Sequence, residues 1–352
     1  MSVIRTQQLH ELARLHDPGG ILSVYVTADP QAETAVPAPW QVSIPHLLAE
    51  LGRTPPDAAL RQRLSTLRPE LNRLLDAAAP GRGRALFAGI QGGGVRLFQL
   101  QWPLGNGVRL GQSAYLRPLA TAYSAGSPAG IVAVTGHGVR LIDHRVGVAE
   151  EISALPYPSL VSPGVAAGTR PGRRSGTHRD LEDRRASAHL ERFLAESAGT
   201  LIHHCARTDW EHLLVTGDGD LVAAFVAGLP PLPHTRVVTA GHVIAAGLAP
   251  SRIAASTAAD LNAARDQTHA RLARQACDMA YAGGAATTGP ADTLRAARQG
   301  RVRRLLLDAA SGGAADEMIE HTLRGDGDVT LAAGEAARVL GASGGVAALL
   351  RP

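Results

Sequence analysis

The chain has 352 residues, 45% hydrophobic and 19% charged, with a formal net charge of +4; this is a globular composition that predicts two or three domains of about 100 to 150 residues each. It contains no uncharged apolar run of about 18 residues, and its opening MSVIRTQQLHELARLHD lacks the apolar centre of a signal peptide, so the expectation is a cytoplasmic protein with no membrane insertion. All 35 basic residues are arginine, which excludes mechanisms that need a catalytic lysine, and the two cysteines, Cys205 and Cys277, lie too far apart for a metal motif or a disulfide framework.

The pattern predicts a multidomain chain of mixed α/β and α+β class. In residues 1–124, ILSVYVTA (21–28) reads as a strand, followed by helices near 40–53 and 57–78 and by strands ALFAGI (85–90) and VRLFQL (95–100). Gly92, Gly93 and Gly94 sit between two alternating strands, which favours a hairpin turn over a phosphate cradle. The turn-rich TAYSAGSPAG (121–130) marks a break. The middle domain, 125–256, opens with three strands at hairpin spacing (131–135, 138–142, 147–152). After a loop, a helix from about Asp180 to Ala206 leads into strand 212–217, helix 220–229 and strand 235–240, the pattern of a mixed sheet with packed helices. Residues 257–352 begin with a long helix to about Ala282 and a Gly/Thr loop, AGGAATTGP. Alternating helices and strands then run from ADTLRAARQG and RVRRLLLD (301–308) to a closing strand, GGVAALLR (344–351), as in an α/β/α sandwich.

The candidate functional feature lies between Ser162 and Leu194. A Pro/Gly/Arg-rich run passes directly into helical periodicity and carries Arg170, Arg173, Arg174, Arg179, Arg184, Arg185 and Arg192. The first four have no helical face on which to pair with acids, so the segment suits a phosphate backbone. The alternative is a solvated loop whose charge is balanced by Asp180, Glu182 and Asp183. Aromatic residues make up only 3% of the chain, which fits backbone and shape contacts better than base stacking.

Other polar groups read more simply. In GDGD, Asp218 and Asp220 could hold a cation and the turn could receive a phosphate, but a strand-to-helix turn selects Gly and Asp for geometry, with Asp220 the expected cap. His203, His204 and Cys205 are adjacent on a helix and point in different directions, which does not suit a shared metal. His137, His144, His178 and His189 have no nucleophile spacing around them; His178 could act only as a neutral base among arginines.

In its element order the chain resembles the archaeal and eukaryotic release-factor and Pelota superfamily in its bacterial branch, most closely the Balon-like ribosome hibernation factors. Four segments carry the likeness: SVYVTADP with GRGRALFAG; AYLRPLATA leading into GIVAVTGHGVRLIDHRVG; GRRSGTHRDLEDRRASAHLERFL; and ADTLRAARQGRVRRLLLD with GGVAALLRP. The family's catalytic Gly-Gly-Gln is replaced by Ser175, Gly176 and Thr177. Threonine has no amide with which to position water, and a chain without lysine cannot contain the stop-codon-reading motif.

The resemblance therefore implies a monomeric, cofactor-free protein that enters the ribosomal A site. Its basic loop 162–180 would meet rRNA through Arg170, Arg173, Arg174, Ser175, Gly176, Thr177, His178, Arg179, Arg184 and Arg185. Its third domain would dock a GTPase, which in bacteria is elongation factor Tu. Two alternatives stay open: a peptidyl-tRNA hydrolase or rescue factor using Thr177, His178 and Arg179, and a small-ligand or stress-signalling protein on the same scaffold.

Overall fold

The computed structural model describes residues 4–28, 38–53, 58–157, 176–205, 208–242, 244, 245 and 247–352; for 176–187 and 202 it describes the backbone alone. These residues form three sheets, and the chain divides into two compact units, one of 1–127 with 265–352 and the other of 128–264.

The first unit begins with α1 (Thr6–Ala13) and a sheet of order β3-β2-β1-β4, built from β1 (Ile21–Thr27), β2 (Gly83–Gly89), β3 (Val95–Leu100) and β4 (Gly107–Gly111). Strand alternation gives Leu22, Val24, Val26, Leu86 and Ala88 to one core, where they meet Trp40, Ile44 and Leu48 of α2 (Pro39–Leu51). The other face carries an aromatic chain in which Tyr25 meets Phe87 and Tyr115 edge to face, at 5.8 and 6.1 Å.

The helix expected over 57–78 is instead two, α3 (Ala58–Thr66) and α4 (Arg68–Leu74). Pro69 donates no amide hydrogen and so breaks the run of helical bonds, but it sits at the second position of α4, where a helix needs no such bond, and a new helix starts there. Arg84, 1% exposed, donates to the carbonyls of Leu74 (2.9 Å) at the end of α4 and of Asp76 (2.5 Å) and Ala79 (2.5 Å) just beyond it, and its guanidinium lies 5.7 Å from the Trp40 ring centre.

Residues 121–125, expected within a break, complete α5 (Arg117–Ala125). The C-terminal sheet of this unit has order β10-β13-β11-β12, from β10 (Ala286–Thr288), β11 (Val302–Asp308), β12 (Asp328–Ala332) and β13 (Val346–Leu350). Leu306, Ala347 and Leu349 pack with Ala270, Ala273, Ala276 and Cys277 of α9 (Ala258–Tyr281), and with Ala336 and Leu340 of α12 (Gly334–Gly341). Helices α10 (Pro290–Arg298) and α11 (Ala315–Arg324) complete the sandwich.

α5 covers the β12 edge. The Ser124 hydroxyl, itself donating to Ala120 O (2.8 Å), receives the Leu331 amide at 3.0 Å, so an edge N–H that could template another strand is occupied. Arg117 pairs with Asp316 at 2.5 Å, and the side chains of His10 and Arg324 reach Gly327 O and Ala13 O, each at 3.2 Å.

The second unit is a five-stranded sheet of order β7-β6-β5-β8-β9, comprising β5 (Ala129–Thr135), β6 (Gly138–Arg145), β7 (Val148–Pro156), β8 (His212–Gly217) and β9 (Arg236–Ala240). β5, β8 and β9 run parallel, and β6 and β7 extend the other edge as antiparallel hairpins. Both faces are apolar, as strands between two helical layers require. Val132, Val134, Leu213 and Val215 face α6 (Gly176–Cys205) and α7 (Gly219–Ala227), while Ile131, Ala133 and Leu214 pack with Ile253 of α8 (Pro250–Ser256) and Leu261. Thr257, fully buried, separates α8 from α9 where the sequence predicts the start of a single long helix.

Candidate nucleic-acid interface

α6 spans 30 residues, about 45 Å. Its C-terminal half is anchored: Leu194, Ala198, Leu201 and Cys205 recur at helical spacing and are buried against β5, β6 and β8, with Phe193 edge to face on Tyr157 at 5.2 Å. Burial pushes the Cys205 thiol pKa up, as for a structural rather than reactive cysteine. The anchored stripe is followed back to Leu190, and Ala188 and His189 are exposed.

The helix begins at Gly176, four residues before the expected start near Asp180. Gly176, Thr177, His178 and Arg179 therefore occupy its first turn, and Arg184 and Arg185 its third. The i,i+4 spacing of Arg179 with Asp183, and of Asp180 with Arg184, favours helix where the Gly/Arg composition suggests loop. Arg170, Arg173, Arg174 and Ser175 lie outside the described residues.

Elsewhere in this unit the arginines of β6 are tied down. Arg145 is held by Asp143 (2.7 Å) and Asp209 (2.5 Å), and Asp143 also accepts the Trp210 indole N–H at 2.5 Å. Arg140 pairs with Glu151 at 2.5 Å and donates to Leu248 O at 2.7 Å.

The GDGD turn lies at the carboxyl ends of parallel β5 and β8, the position where open α/β sheets bind ligands. Its residues answer to geometry. Gly217 has φ +131°, and a Cβ there would sit 1.9 Å from Val134 O. Asp218, not Asp220, is the N-cap of α7, and it caps through its backbone carbonyl, which accepts Val222 N–H at 2.8 Å. Asp220 lies in the first turn.

His203 is exposed, His204 half-buried and Cys205 buried, so the three are splayed around the helix. His137 and His189 are exposed and His144 is half-buried, and the side chain of His178 lies outside the description. The sequence reading missed one polar pair, His242 with Asp260 at 2.7 Å, both half-exposed. Eighteen residues separate the two across a loop and a helix, so no local spacing signals them. Among the described residues no group of three His, Cys, Asp or Glu side chains could hold a metal.

The Gly92–Gly94 turn does hold an anion, and it belongs to the protein. The Asp17 carboxylate accepts the amides of Gly19 (2.8 Å), Gln91 (3.0 Å) and Gly93 (3.3 Å), and a Cβ at Gly89 would lie 2.5 Å from it. The hairpin reading of these glycines holds, since β2 and β3 pair antiparallel across them.

Residues 115–262, which contain the arm and the whole five-stranded sheet, match the family model of bacterial archaeo-eukaryotic release factor family 10. Over this segment, somewhat less than half of the chain, the protein is similar to the bacterial release-factor-type proteins. Among solved structures, an archaeal translation termination factor, aRF1, aligns at 18% identity over 99% of both chains with a TM-score of 0.26. Archaeal Pelota, from a ribosome-bound model with ABCE1, aligns at 16% identity over 100% of this chain and 95% of that one, at 0.43. Dom34 of S. cerevisiae aligns at 11% identity over 73% of each chain, at 0.41. No curated protein sequence matches the chain. No helix among the described residues is long and apolar enough to cross a membrane.

Proposed function

We propose that the protein is a ribosome-binding translation factor that occupies the A site without catalysing peptide release, acting in hibernation or stress. In this reading it has three functional domains, 1–124, 125–256 and 257–352, with the last docking a translational GTPase, elongation factor Tu, and it works as a cytoplasmic monomer. The observation that carries the proposal is the content of the release-factor-type segment: Arg170, Arg173 and Arg174 lead into α6 and Arg179 lies in its first turn, and Ser175-Gly176-Thr177 stands where the resemblance expects Gly-Gly-Gln. Guanidinium groups bind phosphate by a planar fork, while release chemistry needs a fixed group that places water against the ester.

The test has two stages. The purified protein should co-sediment with 70S particles, and the same protein added to ribosomes holding labelled peptidyl-tRNA should leave the ester intact over the time in which a release factor clears it. Peptide freed at a comparable rate, and abolished by His178→Ala, would replace this reading with a rescue hydrolase. Failure to sediment would favour the small-ligand alternative.

A further inference from the structure

At the start of β11 the chain collects cations that no described residue neutralises. Arg301 and Arg303 are exposed, and neither side chain has a hydrogen bond or ion pair among the described residues. Between Val302 and Arg304 the pairing of β11 with β13 shifts register: Val302 faces Leu350 and Arg304 faces Leu349, so Arg303 is the extra residue of a β-bulge. A bulge re-aims the side chain it carries.

One position before the bulge, Arg351 N–H donates to Arg301 O at 2.8 Å, which sets Arg351 directly across from Arg301 on the neighbouring strand. Like charges directly opposite each other destabilise a sheet, so this arrangement has no evident structural benefit. The Arg351 guanidinium itself goes to a carbonyl, Gly325 O, and not to a carboxylate.

The surrounding arginines show the contrast. Arg295 pairs with Asp292 at 3.0 Å, Arg298 with Glu317 at 2.6 Å and Arg304 with Asp328 at 3.3 Å. Acids are therefore at hand in this part of the fold, and Arg301 and Arg303 are two unpaired arginines only one residue apart in sequence.

We infer that this bulge is a second phosphate-binding surface, separate from the arm at 162–180, which takes the backbone of folded RNA. Arg301 and Arg303 are both exposed and only one residue apart, so two guanidinium forks are offered close together to a phosphate backbone. Among the described residues of 290–352 no large hydrophobic side chain is exposed, so this stretch offers no apolar anchor of the kind that centres a protein–protein interface. The inference rests on the proposed ribosome binding only for which RNA is bound.

The test uses the full chain with the arm neutralised (Arg170, Arg173, Arg174 and Arg179 each →Gln) and a short A-form RNA duplex, followed by anisotropy across a salt series. Adding Arg301→Gln and Arg303→Gln should lower the log–log salt slope by about 1.4 to 1.8, from about 0.7 to 0.9 per phosphate contact. The charge-matched control, Arg295→Gln with Arg298→Gln, should change it little, and melting should confirm that each variant is folded.

An unchanged slope, or an equal loss in the control, would overturn the site. Unaltered duplex binding combined with loss of 70S pelleting would also overturn the RNA assignment and point to an acidic protein partner. If the wild type bound duplex RNA through Arg301 and Arg303 yet failed to pellet with 70S particles, the ribosomal reading would fall and the phosphate surface would stand.

Discussion

The middle sheet and the C-terminal sheet are both mixed sheets lined by helices, yet they use arginine in opposite ways. On β6, Arg140 and Arg145 are each closed off by carboxylates, and Arg145 also organises Asp143 for Trp210. At the start of β11, Arg301 and Arg303 have no such partners among the described residues, although Arg304 next to them pairs with Asp328. A formal charge of +4 spread over 35 arginines says nothing about which of them can meet a ligand. Pairing decides it: a clamped guanidinium becomes part of the architecture, and an unpaired one keeps both its charge and its donors.

The comparison can be broken most severely by removing the strand on which one half of it stands. β13 is interior in its sheet, with Val346, Ala347, Ala348 and Leu349 all buried. Deleting Gly344 to Pro352 should abolish the unfolding transition of the C-terminal sandwich, because burial of side chains such as Val346 and Leu349 is worth about 1.5 to 3 kcal/mol each. A truncated chain with an unchanged urea melt would contradict the assignment of β13 to the core.

A smaller loss should follow at the most enclosed arginine. Arg84→Met leaves the carbonyls of Leu74, Asp76 and Ala79 without their donor and should cost about 2 to 4 kcal/mol in denaturant unfolding. The distinction itself is tested by Arg145→Gln, expected to destabilise by about 1 to 2 kcal/mol, against Arg301→Gln, expected within about 0.5 kcal/mol of wild type. Equal effects in that pair would erase the difference between the two sheets.

The mildest change concerns an anion. Burial pushes the Asp17 carboxyl pKa up, but the amides of Gln91, Gly19 and Gly93 outweigh it and hold the group below its usual value. Its folded pKa is thus depressed, so its contribution is complete above the unfolded value of about 3.9 and is lost as pH falls through the folded one. Asp17→Asn should flatten the stability–pH curve in that acidic window alone; an unaltered acid limb would remove Asp17 from the argument.

What could be read from the sequence follows burial and length. The strands of the middle sheet, the alternation of helix and strand from 290 onward and the glycine hairpin were legible, because long apolar runs and turn residues mark them without tertiary help. β10, three residues within an expected Gly/Thr loop, exists only because it pairs with β13. β4 is a half-exposed, glycine-bounded strand, and α1 has three buried residues in eight, too few for a clear period. At the candidate site, composition located the arginines but misplaced the helix start, since paired charge spacing outweighs Gly and Arg content there. His242 with Asp260, and the bulge that sets Arg303 apart, arise from pairing between distant segments and leave no local mark.

The covering of β12 by α5, and the seat of α1 beside α11, have a consequence in time. During synthesis, the apolar side chains of α1, Leu9 and Leu12, come out of the ribosome long before residues 315–332 that complete their surroundings. At about 5 to 20 residues per second that interval is about 15 to 60 s, during which the whole of 128–264 is made. The N-terminal segment must therefore remain soluble as an unfinished half. The strand edge at β12 would be covered as soon as it appeared, because α5 is already there to receive it.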